Sequence, residues 1–224
     1  MARFRLHDDG FSLNLEVRGS GPPLVLLHGF TGSAAAWGNF GDRLAGEFRI
    51  IAVDIVGHGA SDAPRSLDSY RMERVRDDIV RAVSLAGFEH GAWLGYSMGG
   101  RTALHIAVAH PEAVERLALV GASPGLAKAA EREARIASDQ ALAADIERDG
   151  IEAFVDRWES LPLFATQRRL PRDVREKIRA GRLACRPHGL ANSLRGMGTG
   201  AQPPLHNRLA SLPMPVLLLA GEED

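Results

Sequence analysis

The sequence contains little of what marks several classes of protein. One of its 224 residues is cysteine, Cys185, so no disulfide within the chain is possible. Its longest apolar runs, LVLL and PVLLLA, are far shorter than the roughly 20 residues that span a bilayer. The opening residues, MARFRLHDDGF, include no apolar stretch of signal-peptide length. We therefore expect a cytoplasmic protein that does not act in a membrane.

Charge of one sign is not in excess either. The 27 basic and 28 acidic residues give a net charge of −1, which provides no basic field for nucleic acid. Neither H-E-x-x-H nor C-x-x-C occurs, and H-G-F-T-G after an early apolar run lacks the G-x-G-x-x-G spacing. We expect no metal, no cofactor and no nucleic-acid partner. Nothing in these features sets the oligomeric state.

The apolar pattern predicts an α/β fold. Residues 3–18 alternate around a D-D-G turn, which indicates an antiparallel hairpin with Phe11, Leu13, Leu15 and Val17 on one face. Short continuous apolar runs follow, typical of strands buried on both faces of a parallel sheet, and helical periods separate them. The runs are 24–27, 50–53, 93–94, 117–120 and 216–219; the helical periods are 34–44, 72–86 and 102–110. Alternating strands and helices predict a mostly parallel, doubly wound sheet.

The alternation fails between residues 122 and 212, where the sequence is arginine-rich, helical in character and broken by prolines. We interpret this segment as a helical lid over a core formed by residues 1–121 and by a last strand in residues 213–224. The lid segment has 15 basic and 11 acidic residues, so it is +4, whereas the rest is −5. A basic lid over an acidic body would suit a small anionic ligand, although solvated helix faces account for most of these arginines.

The stretch W-L-G-Y-S-M-G-G-R contains G-x-S-x-G between an apolar strand and an apolar-periodic helix. A nucleophile at such a turn needs strained backbone, at a cost of about 1–3 kcal/mol, and Gly95 and Gly99 remove side chains that would clash there. The following helix directs its free N–H groups towards charge that develops beside Ser97. The motif therefore predicts an activated serine.

Two further motifs support this prediction. L-L-H-G-F-T-G follows the first parallel strand, where the main-chain N–H of Phe30 can pair with that of Met98 as an oxyanion hole. V-D-I-V-G-H-G-A-S-D follows the next strand. His58 in that loop and His28 in the first one are interpreted as structural. The three motifs together resemble the α/β-hydrolase superfamily over the whole chain.

The superfamily's triad order is serine, acid, histidine, and G-E-E-D after PVLLLA matches the position of the acid, which implies Asp224. All eight histidines precede Asp224, and none lies in a loop that matches the family's histidine. We therefore expect that the chain lacks the last strand, last helix and general base of its relatives. Loss of a triad histidine costs roughly 10⁶ in turnover, so this chain is expected to be nearly inactive as written.

Four stretches narrow the resemblance: G-Y-S-M-G-G-R, S-P-G-L with R-E-A-R-I-A-S-D, W-E-S-L-P-L-F-A-T-Q and L-R-G-M-G-T-G-A-Q-P-P-L. Together they resemble the 2-succinyl-6-hydroxy-2,4-cyclohexadiene-1-carboxylate synthase family of menaquinone biosynthesis. The resemblance implies a lyase that eliminates pyruvate from an anionic substrate with three carboxylates. It also implies that Arg101 and Arg135 bind substrate carboxylate and that Tyr96 and Trp158 line the pocket.

Two other functions stay open at this stage. A serine carboxylesterase or C–C bond hydrolase uses the same triad, and only the lid stretches weigh against it. A non-catalytic ligand-binding relic would also explain a chain without the histidine.

Overall fold

A computed structural model describes residues 2–5, for which it gives the backbone, and residues 11–221. The described residues form a seven-stranded sheet of spatial order β1-β2-β4-β3-β5-β6-β7. The strands are β1 (Ala2–Arg5), β2 (Ser12–Arg18), β3 (Pro23–Leu27), β4 (Arg49–Val53), β5 (Gly91–Tyr96), β6 (Val114–Val120) and β7 (Val216–Leu219). β3 to β7 are parallel, whereas β1 pairs antiparallel with β2, and β2 antiparallel with β4. The predicted mostly parallel sheet with an N-terminal antiparallel pair is confirmed.

Within the described part of the chain, six α-helices connect or follow the strands. They are α1 (Gly38–Leu44), α2 (Met72–Leu85), α3 (Met98–Ala109), α4 (Ala129–Ser160), α5 (Arg172–Leu183) and α6 (Pro187–Met197). Short 3₁₀ segments cover Ala34–Trp37, Leu67–Tyr70, Pro111–Ala113, Pro162–Arg169 and His206–Ser211. Gly150, at φ of +82°, interrupts α4. Even the 32-residue α4 is too polar to cross a membrane, and no other helix of the described ranges could.

The central strands are buried on both faces because successive side chains point to opposite sides of the sheet. Leu24, Leu26, Ile50 and Ala52 pack towards α1, with Trp37 and Leu44 against them. Val25, Leu27, Ile51 and Val53 pack into a larger core that includes residues of α2 and α3. Helices therefore cover both faces, which is the doubly wound arrangement that the continuous apolar runs predicted.

Helices α4, α5 and α6 occupy the stretch between β6 and β7 and have a small core of their own. Ala143, Ile146, Phe154, Leu190 and Leu194 are among its fully or almost fully buried members. Phe30, which follows β3, packs against this core and also against the main one. The contact brings the helical segment over the carboxyl ends of the strands.

Burial differs along the predicted face of the hairpin. Phe11, directly before β2, and Leu13 and Leu15 within β2 are buried, but Val17 is 41% exposed. The predicted D-D-G turn before β2 lies outside the described residues.

The predicted burial of the last strand was wrong. All four residues of β7 are exposed, with Leu218 at 68%. Among the described residues β7 pairs with β6 alone, and its side chains belong to none of the three apolar clusters. An apolar run predicts a strand, but the neighbours of that strand decide its burial.

Candidate active site

Ser97 lies between β5 and α3 in a backbone conformation that non-glycine residues rarely adopt. Its φ and ψ are +50° and −114°. Its main-chain N–H donates to the carbonyl oxygen of Val120, 2.8 Å away, and its own carbonyl accepts from the N–H of Arg101 at 3.0 Å. The bond to β6 and the first turn of α3 together hold the strained residue in place.

The two glycines of the motif are required by close backbone contacts. A Cβ on Gly95 would collide with the carbonyl oxygen of Gly99, and a Cβ on Gly99 would collide with those of Leu27 and His28. The N-terminal end of α3 therefore packs directly on the loop that follows β3. This packing brings the loop of Phe30 next to the serine turn, and a Cβ on Gly29 would lie 3.5 Å from Cβ of Ser97.

A cavity of about 500 Å³ opens beside Ser97. Seven residues singled out in the sequence line it, and they come from four separate parts of the chain. They are Phe30, Tyr96, Ser97, Met98, Arg101, Arg135 and Trp158. Met98 opens α3, where first-turn N–H groups have no partner within the helix. Asp224, the predicted triad acid, lies outside the described residues. Because β7 runs parallel to β6, the carboxyl end of β7 is at the same edge of the sheet as Ser97.

Three cationic side chains of the described residues line the cavity, those of Arg101, Arg135 and Arg182. Arg101 donates through Nη1 to the carbonyl oxygen of Met197, at 2.8 Å, and to the side chain of Gln202. Burial, together with the charge of Arg135, lowers the pKa of Arg101 to about 10, so the group stays charged at neutral pH. Arg182 is 6% exposed and donates to Glu159 and Gln167. The sequence reasoning missed Arg182, because nothing distinguishes it from the other arginines of α5.

Aromatic side chains also line the cavity, and the guanidinium of Arg182 lies 4.7 Å from the ring centre of one of them, Phe164. The ring of Trp158 lies 5.5 Å from that of Phe30, 5.4 Å from that of Phe154 and 5.5 Å from that of Phe164. Tyr96 is 48% exposed at the mouth. The cavity therefore combines aromatic rings with a few cationic groups, and both kinds of group occur in small-molecule sites.

The two histidines of the motif loops lie behind these aromatic side chains. His28 donates through Nδ1 to the carbonyl oxygen of Gly29 at 2.8 Å, and its Nε2 accepts from the N–H of Ile55 at 3.1 Å. His58 is fully buried, and its Nδ1 donates to the carbonyl oxygen of Val56 at 3.1 Å. Burial lowers the pKa of both, that of His58 to about 3. These neutral imidazoles brace the loops, and no described histidine lines the cavity.

Asp54 explains why the third motif follows β4. Its buried carboxylate accepts hydrogen bonds from the main-chain N–H groups of Ala34 and Ala60, at 2.6 and 2.8 Å, and from the Asn14 side chain at 2.9 Å. One side chain thus joins the loops after β3 and β4. The sequence reasoning did not single out Asp54, although an acid directly after a buried strand is a signal for such a role.

Comparison with known proteins agrees with this geometry. Residues 22–224 match the family described as the alpha/beta hydrolase fold. A Bacillus subtilis (strain 168) protein, provisionally named 2-succinyl-6-hydroxy-2,4-cyclohexadiene-1-carboxylate synthase, is 46% identical over 201 residues, which cover 90% of this chain and 73% of that protein. The structure of MenH from S. aureus superimposes with a TM-score of 0.86 at 33% identity, covering 95% of this chain and 80% of that one.

An esterase is also similar. The pimeloyl-[acyl-carrier protein] methyl ester esterase of Vibrio campbellii is 31% identical over 216 residues, which cover 95% of this chain and 80% of the esterase.

Proposed function

The chain belongs to the 2-succinyl-6-hydroxy-2,4-cyclohexadiene-1-carboxylate synthase family of the α/β-hydrolase superfamily, and on that premise we propose that it is an enzyme of menaquinone biosynthesis. The proposed reaction eliminates pyruvate from 2-succinyl-5-enolpyruvyl-6-hydroxy-3-cyclohexene-1-carboxylate. The observation that carries the proposal is the cavity that joins Ser97 to three arginines, Arg101, Arg135 and Arg182. A substrate with three carboxylates needs such a set of cations, because buried anions require partners.

The proposed chemistry begins with removal of the ring proton that is alpha to the succinyl ketone. The electron pair of that C–H bond forms the C2–C3 double bond, and the ring double bond shifts to C4–C5. The C5–O bond breaks, and the enolpyruvyl oxygen leaves with its electron pair. Protonation of the resulting enolate at carbon gives pyruvate. No acyl-enzyme is needed.

Ser97 acts as the base in this proposal. Its position at the strained turn exposes the hydroxyl to the cavity, and the Asp224 carboxylate and an imidazole would activate it. None of the described histidines lines the cavity, so the imidazole of this proposal is not one of them. The main-chain N–H groups of Phe30 and Met98 stabilise the ketone oxygen as it gains charge, and each donor of this kind is typically worth about 3 kcal/mol.

The remaining cavity residues bind the substrate. Arg101 and Arg135 form charge-assisted hydrogen bonds with carboxylates, for which the planar guanidinium is well shaped. Trp158 and Tyr96 pack against the ring. Residues 122–212 act as the lid that completes the cavity, since Arg135, Trp158 and Arg182 all come from this segment.

Pyruvate release from the enolpyruvyl substrate tests the proposal. The chain is assayed as it is and as an extended protein, which carries at its C-terminus the part of the Bacillus subtilis relative that lies beyond the aligned residues. Pyruvate release by the extended protein, lost in its Ser97→Ala variant, is the expected result. Binding of the substrate without turnover in both proteins would instead favour a ligand-binding relic.

A serine carboxylesterase is the second candidate, since the similarity to the Vibrio campbellii esterase favours it. In that case Ser97 would attack an ester carbonyl and form an acyl-enzyme. Rapid hydrolysis of p-nitrophenyl acetate by the extended protein, with no pyruvate formed from the enolpyruvyl substrate, would replace the lyase with the esterase.

A further inference from the structure

Among the described residues, one carboxylate lines the cavity beside Ser97, that of Asp139. This side chain is in α4 and is 4% exposed. Its Oδ1 accepts a hydrogen bond from Nε of Arg135, one turn earlier in the helix, at 2.8 Å. A buried anion in the wall of a site for a trianion repels the ligand, so its presence needs an explanation.

The contribution of Asp139 to stability does not supply that explanation. Its second oxygen, Oδ2, is buried and accepts no hydrogen bond from the described residues, and a Cβ on Gly198 would collide with this oxygen. A buried carboxylate that is only half satisfied costs free energy. Its ion pair with Arg135 has an i,i+4 spacing and a cation that is 45% exposed, which is typically worth only about 0.3–0.5 kcal/mol.

The surroundings of Asp139 suggest an effect on the neighbouring cations. Arg101 and Arg135 both line the cavity. The positive charge of Arg135 lowers the pKa of Arg101, whereas the negative charge of Asp139 raises it. The three groups together carry one net positive charge. A single further carboxylate neutralises the cluster.

We propose that Asp139 is a positioning residue, which holds the Arg135 guanidinium through Nε and leaves its two Nη groups to bind one carboxylate of the ligand. Among the described residues, those Nη groups make no hydrogen bond. The anchored guanidinium loses less conformational freedom when the ligand binds, so the affinity for a carboxylate increases. This inference rests on the proposed function for the identity of the ligand.

The chain offers a matched control in α2. Arg74 and Asp78 have the same i,i+4 spacing, with Nε of Arg74 2.9 Å from Oδ2 of Asp78. Asp78 is 3% exposed, and it does not line the cavity. Asp78→Asn thus removes an equally buried carboxylate from an i,i+4 ion pair away from the ligand.

The experiment measures the affinity for 2-succinylbenzoate by calorimetry. This probe keeps the ring carboxylate and the succinyl carboxylate of the proposed product and differs from it by loss of water. Asp139→Asn is expected to weaken binding about tenfold, which is about 1.4 kcal/mol, without lowering Tm. Asp78→Asn is expected to leave the affinity unchanged. In a background of Arg135→Gln, Asp139→Asn is expected to cause no further loss of affinity, because Asp139 favours binding through Arg135.

Unchanged affinity in Asp139→Asn would overturn the inference, and so would additive losses in the double variant. If the unsubstituted chain does not bind the probe, the proposed function fails, and a second measurement then decides the positioning role. The Nε–H signal of Arg135 in ¹⁵N NMR, assigned by its loss in Arg135→Lys, is expected to exchange slowly and to become fast in Asp139→Asn. Exchange that is equally fast in both proteins would show that Asp139 does not anchor the guanidinium.

Discussion

The main-chain N–H of Ser97 donates a 2.8 Å hydrogen bond to the carbonyl oxygen of Val120, the last residue of β6. The bond joins the serine turn to the neighbouring parallel strand at the carboxyl edge of the sheet. It helps to hold Ser97 at a φ of +50°, where a side chain is strained. The strained backbone that exposes the Ser97 hydroxyl therefore lowers the stability of the fold.

That cost can be measured with two variants that both lack the hydroxyl. We expect Ser97→Gly to be about 1 kcal/mol more stable than Ser97→Ala, because alanine keeps the strained Cβ and glycine does not. Urea unfolding of the two variants measures the difference. If Ser97→Ala is as stable as Ser97→Gly, the turn stores no strain. Both variants are expected to lose about 10²–10⁴-fold in pyruvate release in the extended protein, since each removes the proposed base.

Gly99 and Gly181 form a second matched pair, since both lie within helices. Gly99→Ala is expected to destabilise the fold by about 3 kcal/mol or more, because its Cβ would collide with the carbonyl oxygens of Leu27 and His28. Gly181→Ala meets no atom within 4 Å and is expected to stabilise α5 by about 0.5–1 kcal/mol. Thermal unfolding compares the two; equal effects would mean that α3 does not press on the loop after β3.

Arg135→Gln is expected to raise KM for the enolpyruvyl substrate by about 10–100-fold in the extended protein, as one charged hydrogen-bonded contact is lost. Its effect on Tm is expected to be small, because the ion pair that it removes is partly exposed. Arg172→Gln is the control, since it removes an exposed i,i+4 pair with Glu176 in α5. A KM that does not change in Arg135→Gln would exclude this residue from the site.

Acid is expected to destabilise the protein through His58. Burial lowers its pKa from 6.5 to about 3, so below pH 6.5 the unfolded state takes up a proton that the folded state does not bind. The stability that His58 contributes is present above pH 6.5 and is lost as pH falls towards 3, at up to about 1.4 kcal/mol per pH unit.

His58→Asn keeps a donor for the carbonyl oxygen of Val56 and does not titrate. We expect its unfolding free energy to fall less steeply between pH 6.5 and 4 than that of the unsubstituted protein. Equal slopes in urea unfolding at a series of pH values would contradict the low pKa.

The exposed residues of β7 are expected to promote self-association, because an apolar edge strand presents unpaired main-chain groups. Lysine at both Leu217 and Leu218 is expected to lower the associated fraction in sedimentation velocity and to change stability by less than about 0.5 kcal/mol. Leu117→Lys in β6, where the side chain is 2% exposed, is expected to unfold the protein. Unchanged association in the double lysine variant would show that this edge is protected in solution.

The order of strands and helices could be predicted from the sequence because each signal is local. A continuous apolar run marks a strand between two layers of helices, and glycines around a serine mark a turn that other side chains cannot adopt. The exposure of Val17 and of β7 could not be predicted, because burial depends on which elements lie next to a strand.

Some residues of the candidate site could be predicted from a short stretch of sequence, and others could not. Ser97, Met98 and Arg101 lie within five consecutive residues, so their proximity follows from the chain itself. Arg182 and Asp139 are ordinary members of charged helices in sequence, and only the packing of α4 and α5 over the sheet brings them to the same cavity.

The sequence by itself therefore determined the strained serine turn, the parallel sheet around it and the family to which the chain is similar, since short-range sterics and apolar periodicity specify these features. Only the tertiary structure decided which charges meet beside Ser97, which histidines stay neutral behind Phe30 and which strand is exposed. These properties depend on distances between residues far apart in the chain, because charge interactions and burial act through space.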